Sequence, residues 1–238
     1  MRILLDPGHG AGAKFNRGSK MGNEGDNTFR MYLIFKKALE KKGFEVGTTR
    51  QVITDNPSLA SRGQKGKGYD LMLSLHTNAG GGSGVEVWDD VNPKYSNKKL
   101  GVVICNAVST TINIPNRGVK YRKNSSGGNY YGVLRNNYAK NGMIIEFCFH
   151  DNFNELKKYL DNLELVANNL ANAIAKYYGV EKMGNKKFDY EGHWAEKYIE
   201  EVKEQGIMTG YDDGDFKPDE KVTRAELAVV AAKILKKN

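Results

Sequence analysis

Four residues of this chain have the types and the settings that metal-assisted amide hydrolysis requires. His9 lies in Asp6-Pro7-Gly8-His9-Gly10, a Gly-rich turn after an apolar run, and His76 closes a second apolar run in Ser74-Leu75-His76-Thr77-Asn78. Sites in α/β proteins assemble at the carboxyl ends of strands, so two histidines placed alike can converge. Glu24, in Gly22-Asn23-Glu24-Gly25 just ahead of a helical pattern, adds an oxygen donor. Two imidazoles and a carboxylate, with a fourth position open for water, make the ligand set of a catalytic zinc ion. Such an ion brings the pKa of its water towards about 7 and polarises a carbonyl. Glu146 follows Met143-Ile144-Ile145. A carboxylate at the end of a buried strand is desolvated, its pKa rises, and it can carry the water's proton to a leaving amine.

Each residue also has a plainer reading. A histidine after a strand is commonly a hydrogen-bonded structural residue, Glu24 could favour the positive end of a helix dipole, and Glu146 could pair with an arginine such as Arg62. Only the set is informative. His150, four residues after Glu146, is expected on the surface or behind the ligands, and His193 as a structural residue in Gly192-His193-Trp194-Ala195.

These residues need a scaffold, and short apolar runs alternating with amphipathic helices supply one. The pattern predicts strands near 2–6, 44–49, 70–76, 84–89, 117–121 and 142–147, and helices near 26–42, 58–67, 95–113 and 161–178. The last helix carries Leu163, Val166, Ala167, Leu170, Ile174 and Tyr177 at three- and four-residue steps, one apolar face that should close the sheet. The fold class is thus α/β, with a mostly parallel twisted sheet of about six strands flanked by helices, plus a small helical C-terminal module. The expected division is 1–179, a polar linker at 180–186, and 187–238. In the last part a helix is expected near 194–205 and another opening at Thr223, where Thr223 and Glu226 form a capping box. So few residues make a thin core.

The chain has 238 residues and a net charge of +8; residues 1–180 hold 25 basic and 15 acidic side chains, net +10, and residues 181–238 a net −2. A basic first part suits a polyanion, whether nucleic acid or an anionic wall. No reading motif of interleaved aromatic and basic residues supports nucleic acid. No apolar run approaches the roughly 20 residues of a membrane span. Cys105 and Cys148 sit in apolar stretches away from the histidines, as reduced, buried thiols. The start, Met1-Arg2-Ile3-Leu4-Leu5-Asp6, lacks the long apolar stretch of a cleavable leader. The expectation is synthesis in the cytoplasm and action after release.

Leu5-Asp6-Pro7-Gly8-His9-Gly10, Glu24, Leu59-Ala60-Ser61-Arg62, Ser74-Leu75-His76-Thr77-Asn78-Ala79, Ser83-Gly84-Val85-Glu86-Val87 and Ile145-Glu146-Phe147-Cys148-Phe149 resemble, in order and spacing, the type 3 family of N-acetylmuramoyl-L-alanine amidases. The resemblance implies Zn2+ held by His9, Glu24 and His76, catalysis by Glu146, and substrate contacts from Asn78 and Arg62. It also implies a six-stranded sheet and cleavage of the peptidoglycan amide between the muramic acid lactyl group and L-alanine. One departure is visible: the family commonly has Gly-Phe after the catalytic glutamate, where this chain has Phe147-Cys148-Phe149.

Residues 187–235, through Gly192-His193-Trp194-Ala195, the run from Gly206 to Pro218, and Thr223-Arg224-Ala225-Glu226, resemble a single surface-layer homology repeat. That implies binding of an acidic secondary cell-wall polysaccharide, with Trp194 and Arg224 in the sugar groove; a guanidinium suits a carboxylate because it donates two parallel hydrogen bonds. Such repeats usually pack in threes, so a homo-oligomer, trimer or dimer, is expected, and Met183 could be an internal start supplying free modules. A wall hydrolase with no leader resembles a phage or prophage endolysin released by a separate pore or by lysis. The alternatives are a host autolysin, a zinc peptidase cutting within the stem peptide, and a non-catalytic wall-binding protein.

Overall fold

Apolar runs too short for helices become strands, and the polar, helix-favouring segments between them become the layers that cover the sheet. The structure is a computed structural model that describes residues 1–12, 18–180, 188–211 and 215–235. Its two units are Met1–Met183 and Gly184–Asn238. Residues 181–186 of the expected linker, with Met183, lie outside the described residues, as do Asp212, Asp213 and Gly214 of the C-terminal motif. Among the described residues no helix is long and apolar enough to cross a membrane.

The first unit runs β1 (Arg2–Pro7), a small hairpin of β2 (Gly18–Ser19) and β3 (Gly22–Asn23), α1 (Glu24–Glu40), β4 (Glu45–Thr48), α2 (Leu59–Gln64), β5 (Leu71–Asn78), β6 (Val85–Asp89), α3 (Lys98–Ile112), β7 (Asn116–Lys120), α4 (Gly132–Arg135), β8 (Asn141–Phe149), α5 (Phe153–Asp161) and α6 (Leu163–Tyr177). The six-stranded sheet has the order β4-β1-β5-β8-β6-β7. Every pairing is parallel except β6 with β8, so β6 and β7 run against the other four strands. The central strands β1, β5 and β8 are buried along nearly their whole length, as strands covered on both faces must be.

Alternation along each strand divides the apolar residues between two layers. Ile3, Leu5, Leu73, Leu75 and Ile145 join the large core beneath α1, α3 and α6. Leu4, Met72 and Ile144 point the other way, into a smaller cluster with Val133, Leu134 and Ala139 around α4. The thin layer over this second face leaves room for a cleft. Against the sequence expectation, α4, α5 and the β2–β3 hairpin are additional. α4 is a single turn and α5 only nine residues long, too short for a periodicity argument to register.

The second unit holds α7 (Glu196–Glu204) and α8 (Arg224–Leu235). Among its described residues, Tyr190 and Ile199 are the buried apolar ones. The capping box is formed: Glu226 Oε2 accepts from the Thr223 backbone N–H at 2.7 Å, and the Glu226 N–H donates to Thr223 Oγ1 at 3.2 Å. The Asp189 carboxylate accepts from the Phe216 and Lys217 backbone N–H groups at 2.9 and 2.5 Å, closing the long loop. α8 buries none of its residues.

Candidate active site

Register decides which side chains meet at the carboxyl edge of the sheet. His76 on β5 pairs with Glu146 on β8, and Glu146 pairs across the antiparallel seam with Glu86 on β6. Opposed residues share a face, so the three stand in a row on the thinly covered side. β1 ends one step earlier, and its exit residue Gly8 lies so close to His76 that a Cβ there would be 2.3 Å from the imidazole Cε1. Only glycine lets the His9 turn pass over His76.

His9 itself has φ 60°, the left-handed region that is uncommon for any residue other than glycine and is held when the surroundings fix it. The enforcement is visible. Arg62 donates from Nη2 to the His9 carbonyl at 2.5 Å, from Nη1 to the Pro7 carbonyl at 2.7 Å and Asp6 Oδ1 at 2.8 Å, and from Nε to the Pro57 carbonyl at 2.9 Å. Asp6 also accepts from Thr49 Oγ1 and Ser74 Oγ, each at 2.5 Å. Burial pushes the Asp6 carboxyl up, but Arg62, Ser74 and Thr49 outweigh it and hold it below the usual carboxylate range.

Arg50, fully buried, ties the other side of the turn: its Nη1 donates to the carbonyls of Gly8 at 3.1 Å and Gly25 at 3.0 Å. Thr28 Oγ1 donates to the same two carbonyls at 3.0 and 3.2 Å. The start of α1 is thereby fastened to the end of β1, and Glu24, the first residue of α1, is brought between the histidines.

Glu24 Oε1 lies 3.1 Å from His76 Nδ1 and accepts from the Thr77 backbone N–H at 3.1 Å. Glu24 Oε2 lies 3.1 Å from His9 Nε2, yet is buried and makes no hydrogen bond. The imidazole rings of His9 and His76 are 5.0 Å apart at 73°. One donor atom from each of the three residues falls within 4.8 Å of the others. Ligand atoms around a tetrahedral zinc stand about 3.3 Å apart, given bonds of about 2.0–2.1 Å. The spacing, the donor chemistry and the unsatisfied Oε2 all fit that ion. Burial pushes the Glu24 carboxyl up, but His76 and then His9, set against its two oxygens, hold it far below the usual range. Burial pulls His76 down, and Glu24, followed by Glu146 and Asp6, more than restores it upward.

Glu146, 9% exposed, shares with His9, Glu24, His76, Tyr131 and Val133 the lining of a cavity of about 200 Å³. A second hollow of about 460 Å³, lined by Asn56, Pro57, Leu59, His9 and His76, adjoins it. The Phe147-Cys148 departure does not reach this cleft. Phe147 stacks on Tyr159 at 5.0 Å and 21°, and both Phe147 and Cys148 belong to the helix-side core.

Arg62, expected against the substrate, is 3% exposed and lines the hollow of about 460 Å³ while its guanidinium is engaged by the scaffold and fixes His9; its ion-pair partner is Asp6 rather than Glu146. Asn78, also expected at the substrate, is half-buried and donates from Nδ2 to Glu86 Oε1 at 2.8 Å, while its Oδ1 accepts from the Ala79 N–H at 2.7 Å. Of the two places expected for His150, the structure shows the one behind the ligands: it is 3% exposed, with Nδ1 3.2 Å from the hydroxyl of Thr77, whose backbone N–H meets Glu24. Sequence reasoning missed Arg50 and gave Glu86 no role. A carboxylate between two valines in a strand was the available signal for Glu86; an arginine in a loop carries none.

Residues 3–176 match the N-acetylmuramoyl-L-alanine amidase family. The chain belongs to that family. Residues 189–228 match the S-layer homology domain. Among solved structures, Cwp6 from Clostridium difficile is 26% identical, with a TM-score of 0.66 over 74% of this chain and 29% of that one. An N-acetylmuramoyl-L-alanine amidase from Clostridium difficile 630 is 22% identical, TM-score 0.65, over 75% of this chain and 96% of that one. The catalytic domain of the CD27L endolysin is 24% identical, TM-score 0.61, over 74% and 97%. The last two show the fold alone. A cellulosome-anchoring protein of Acetivibrio thermocellus is 49% identical over 47 residues, 20% of this chain and 10% of that protein; the chain spans about a tenth of the length of that curated relative. In this amidase-family chain, then, the four residues singled out for chemistry stand together. Trp194, 82% exposed, and Arg224, exposed at the first position of α8, belong to the homology repeat.

Proposed function

We propose that the chain is a zinc-dependent N-acetylmuramoyl-L-alanine amidase, with the ion held by His9, Glu24 and His76 and with Glu146 as acid/base. The observation that carries this reading is Glu24, buried between two half-buried histidines, with Oε1 3.1 Å from His76 Nδ1 and the unsatisfied Oε2 3.1 Å from His9 Nε2, and with Glu146 in register beside His76. Zinc bound there would supply an acidified water and a polarised amide carbonyl. Glu146 takes a proton as water oxygen adds to the carbonyl carbon. It returns a proton to the amide nitrogen as the C–N bond breaks, leaving a muramic acid carboxyl and a peptide amine. Arg62 and Arg50 keep the ligands in place throughout.

The test is digestion of purified peptidoglycan with mass analysis of products. Wild type releases peptides beginning at L-alanine and contains about one zinc per chain; products cut within the stem would instead support a peptidase. Glu146→Gln lowers kcat by roughly 10²–10⁴ with zinc content and melting temperature unchanged. Retained activity in that variant overturns the mechanism.

We further propose that the repeat delivers the enzyme to a secondary polysaccharide of a Gram-positive wall through Trp194 and Arg224, and that the setting is endolysin-like lysis, with a host autolysin as the other reading. Exposed Leu227, Val229, Ile234 and Leu235 on α8 support self-association through this module. Sedimentation as a monomer at micromolar concentration overturns that part, and wall binding retained by Trp194→Ala and Arg224→Gln overturns the groove assignment.

A further inference from the structure

On the β6 side of Glu146 the sheet holds a charge cluster that the proton chemistry above does not use. Glu86, opposite Glu146 in register, is 1% exposed. A carboxylate offers about four lone-pair sites, and all four are occupied here. Oε1 accepts from Asn78 Nδ2 at 2.8 Å and Trp88 Nε1 at 3.1 Å; Oε2 meets Arg117 Nε at 2.6 Å and Lys120 Nζ at 2.8 Å. Two cations reach one oxygen because β7 carries an extra residue. Val85 pairs with Asn116 but Val87 with Val119, and the bulge at Gly118, φ 74°, turns Arg117 onto the face that Lys120 already occupies.

The cluster therefore has one negative and two positive charges. Burial pushes the Glu86 carboxyl up, but Lys120 and Arg117 hold it below its ordinary range, so it stays ionised and does not compete for the proton that Glu146 handles. The excess positive charge is accessible. Arg117 and Lys120 keep 35% and 31% of their side chains exposed, and guanidinium and ammonium groups have more N–H donors than Glu86 engages.

We propose that Arg117 and Lys120 form an anion-recognition subsite beside Glu146 that takes a carboxylate of the substrate's peptide, with Glu86 as the positioning residue. This rests on the amidase reading. In an uncleaved substrate the lactyl carboxyl is tied up in the scissile amide, so the free carboxylates lie on the peptide side. The subsite thus also sets polarity, with peptide towards β7 and sugar towards the hollow at Asn56 and Leu59.

The experiment uses the full chain and two synthetic N-acetylmuramoyl-tripeptides, identical except that the peptide carboxylates are free in one and primary amides in the other. Rates and equilibrium binding are measured for both. Wild type should favour the free carboxylates by about tenfold, the scale of a charge-assisted hydrogen bond, through KM rather than kcat. Lys120→Gln, which leaves Arg117 on Glu86, should reduce that ratio, and Arg117→Gln/Lys120→Gln should bring it near one, with melting curves showing that each variant folds. Equal wild-type constants overturn the proposal, as does a folded double variant with the full ratio. If wild type cleaves neither compound, the amidase reading falls, and the binding ratio alone then decides the subsite: tighter carboxylate binding supports it and equal affinity overturns it.

Discussion

Two helices of similar apolar content meet opposite ends. α6 buries Leu163, Val166, Ala167, Leu170, Ala171, Ile174 and Ala175, with Asn and Lys on its outer face. α8, with the sequence Arg-Ala-Glu-Leu-Ala-Val-Val-Ala-Ala-Lys-Ile-Leu, buries nothing; Leu227 and Val229 are each 56% exposed and Leu235 75%. The difference is in arrangement and in partners. The apolar residues of α6 form one stripe, and α1, α3 and a six-stranded sheet wait beneath it. Those of α8 go nearly all round the helix, a pattern that belongs to a helix surrounded by protein, and its own unit supplies too little. The first unit is over-determined where it does chemistry; the second is under-provided where it packs.

The strongest way to break the first half of that contrast is to remove Arg62. Arg62→Met leaves Asp6 buried without its cation, and breaking one partner of a buried pair costs about 3–5 kcal/mol. For a unit of this size that is a fall of roughly 10 °C in melting temperature, with weaker binding of the proposed zinc as His9 is released.

A pH series sharpens the same point. In wild type the Asp6 carboxyl is held below its ordinary value, so its contribution is fully present above about pH 4, the unfolded value, and disappears as pH falls through the folded value. In Arg62→Met the Asp6 carboxyl loses its largest lowering influence and keeps only Ser74 and Thr49 against burial, so its folded value rises and the stability it contributes at neutral pH shrinks. The gap between the two proteins should therefore narrow as pH falls towards 4, measured by urea melts. A gap that stays constant would mean that Arg62 acts through its three carbonyl contacts and not through Asp6.

That network explains what could be read in advance. The strands, α1, α6 and the residues His9, His76 and Glu146 announced themselves because an apolar run ends near a donor side chain each time, and Glu24 because it opens an amphipathic helix. Their convergence depends on register, and register was not legible: nothing local says that His76, Glu146 and Glu86 share a row. Nor could Arg62 be told apart from a substrate-binding arginine, since its partners are mostly backbone carbonyls at residues 7, 9 and 57, which carry no sequence signal. β6 running antiparallel, the single-turn α4 and the bulge at Gly118 are likewise products of tertiary pairing.

The smallest expected effect probes the second half of the contrast with one substitution made twice. Leu170→Ala in α6 removes a side chain of 0% exposure from a close-packed core and should cost about 2–5 kcal/mol. Leu227→Ala in α8 should change the melting of dilute protein by no more than about 0.5 kcal/mol, as for surface substitutions generally, with alanine's good helix propensity offsetting part of even that. If Leu227→Ala destabilises the dilute chain as much as Leu170→Ala does, then α8 is covered within its own chain and the proposed self-association loses its basis. If the two diverge at low concentration and converge as concentration rises, the cover is a second copy, because only an interface between chains makes the cost of an exposed leucine depend on mass action.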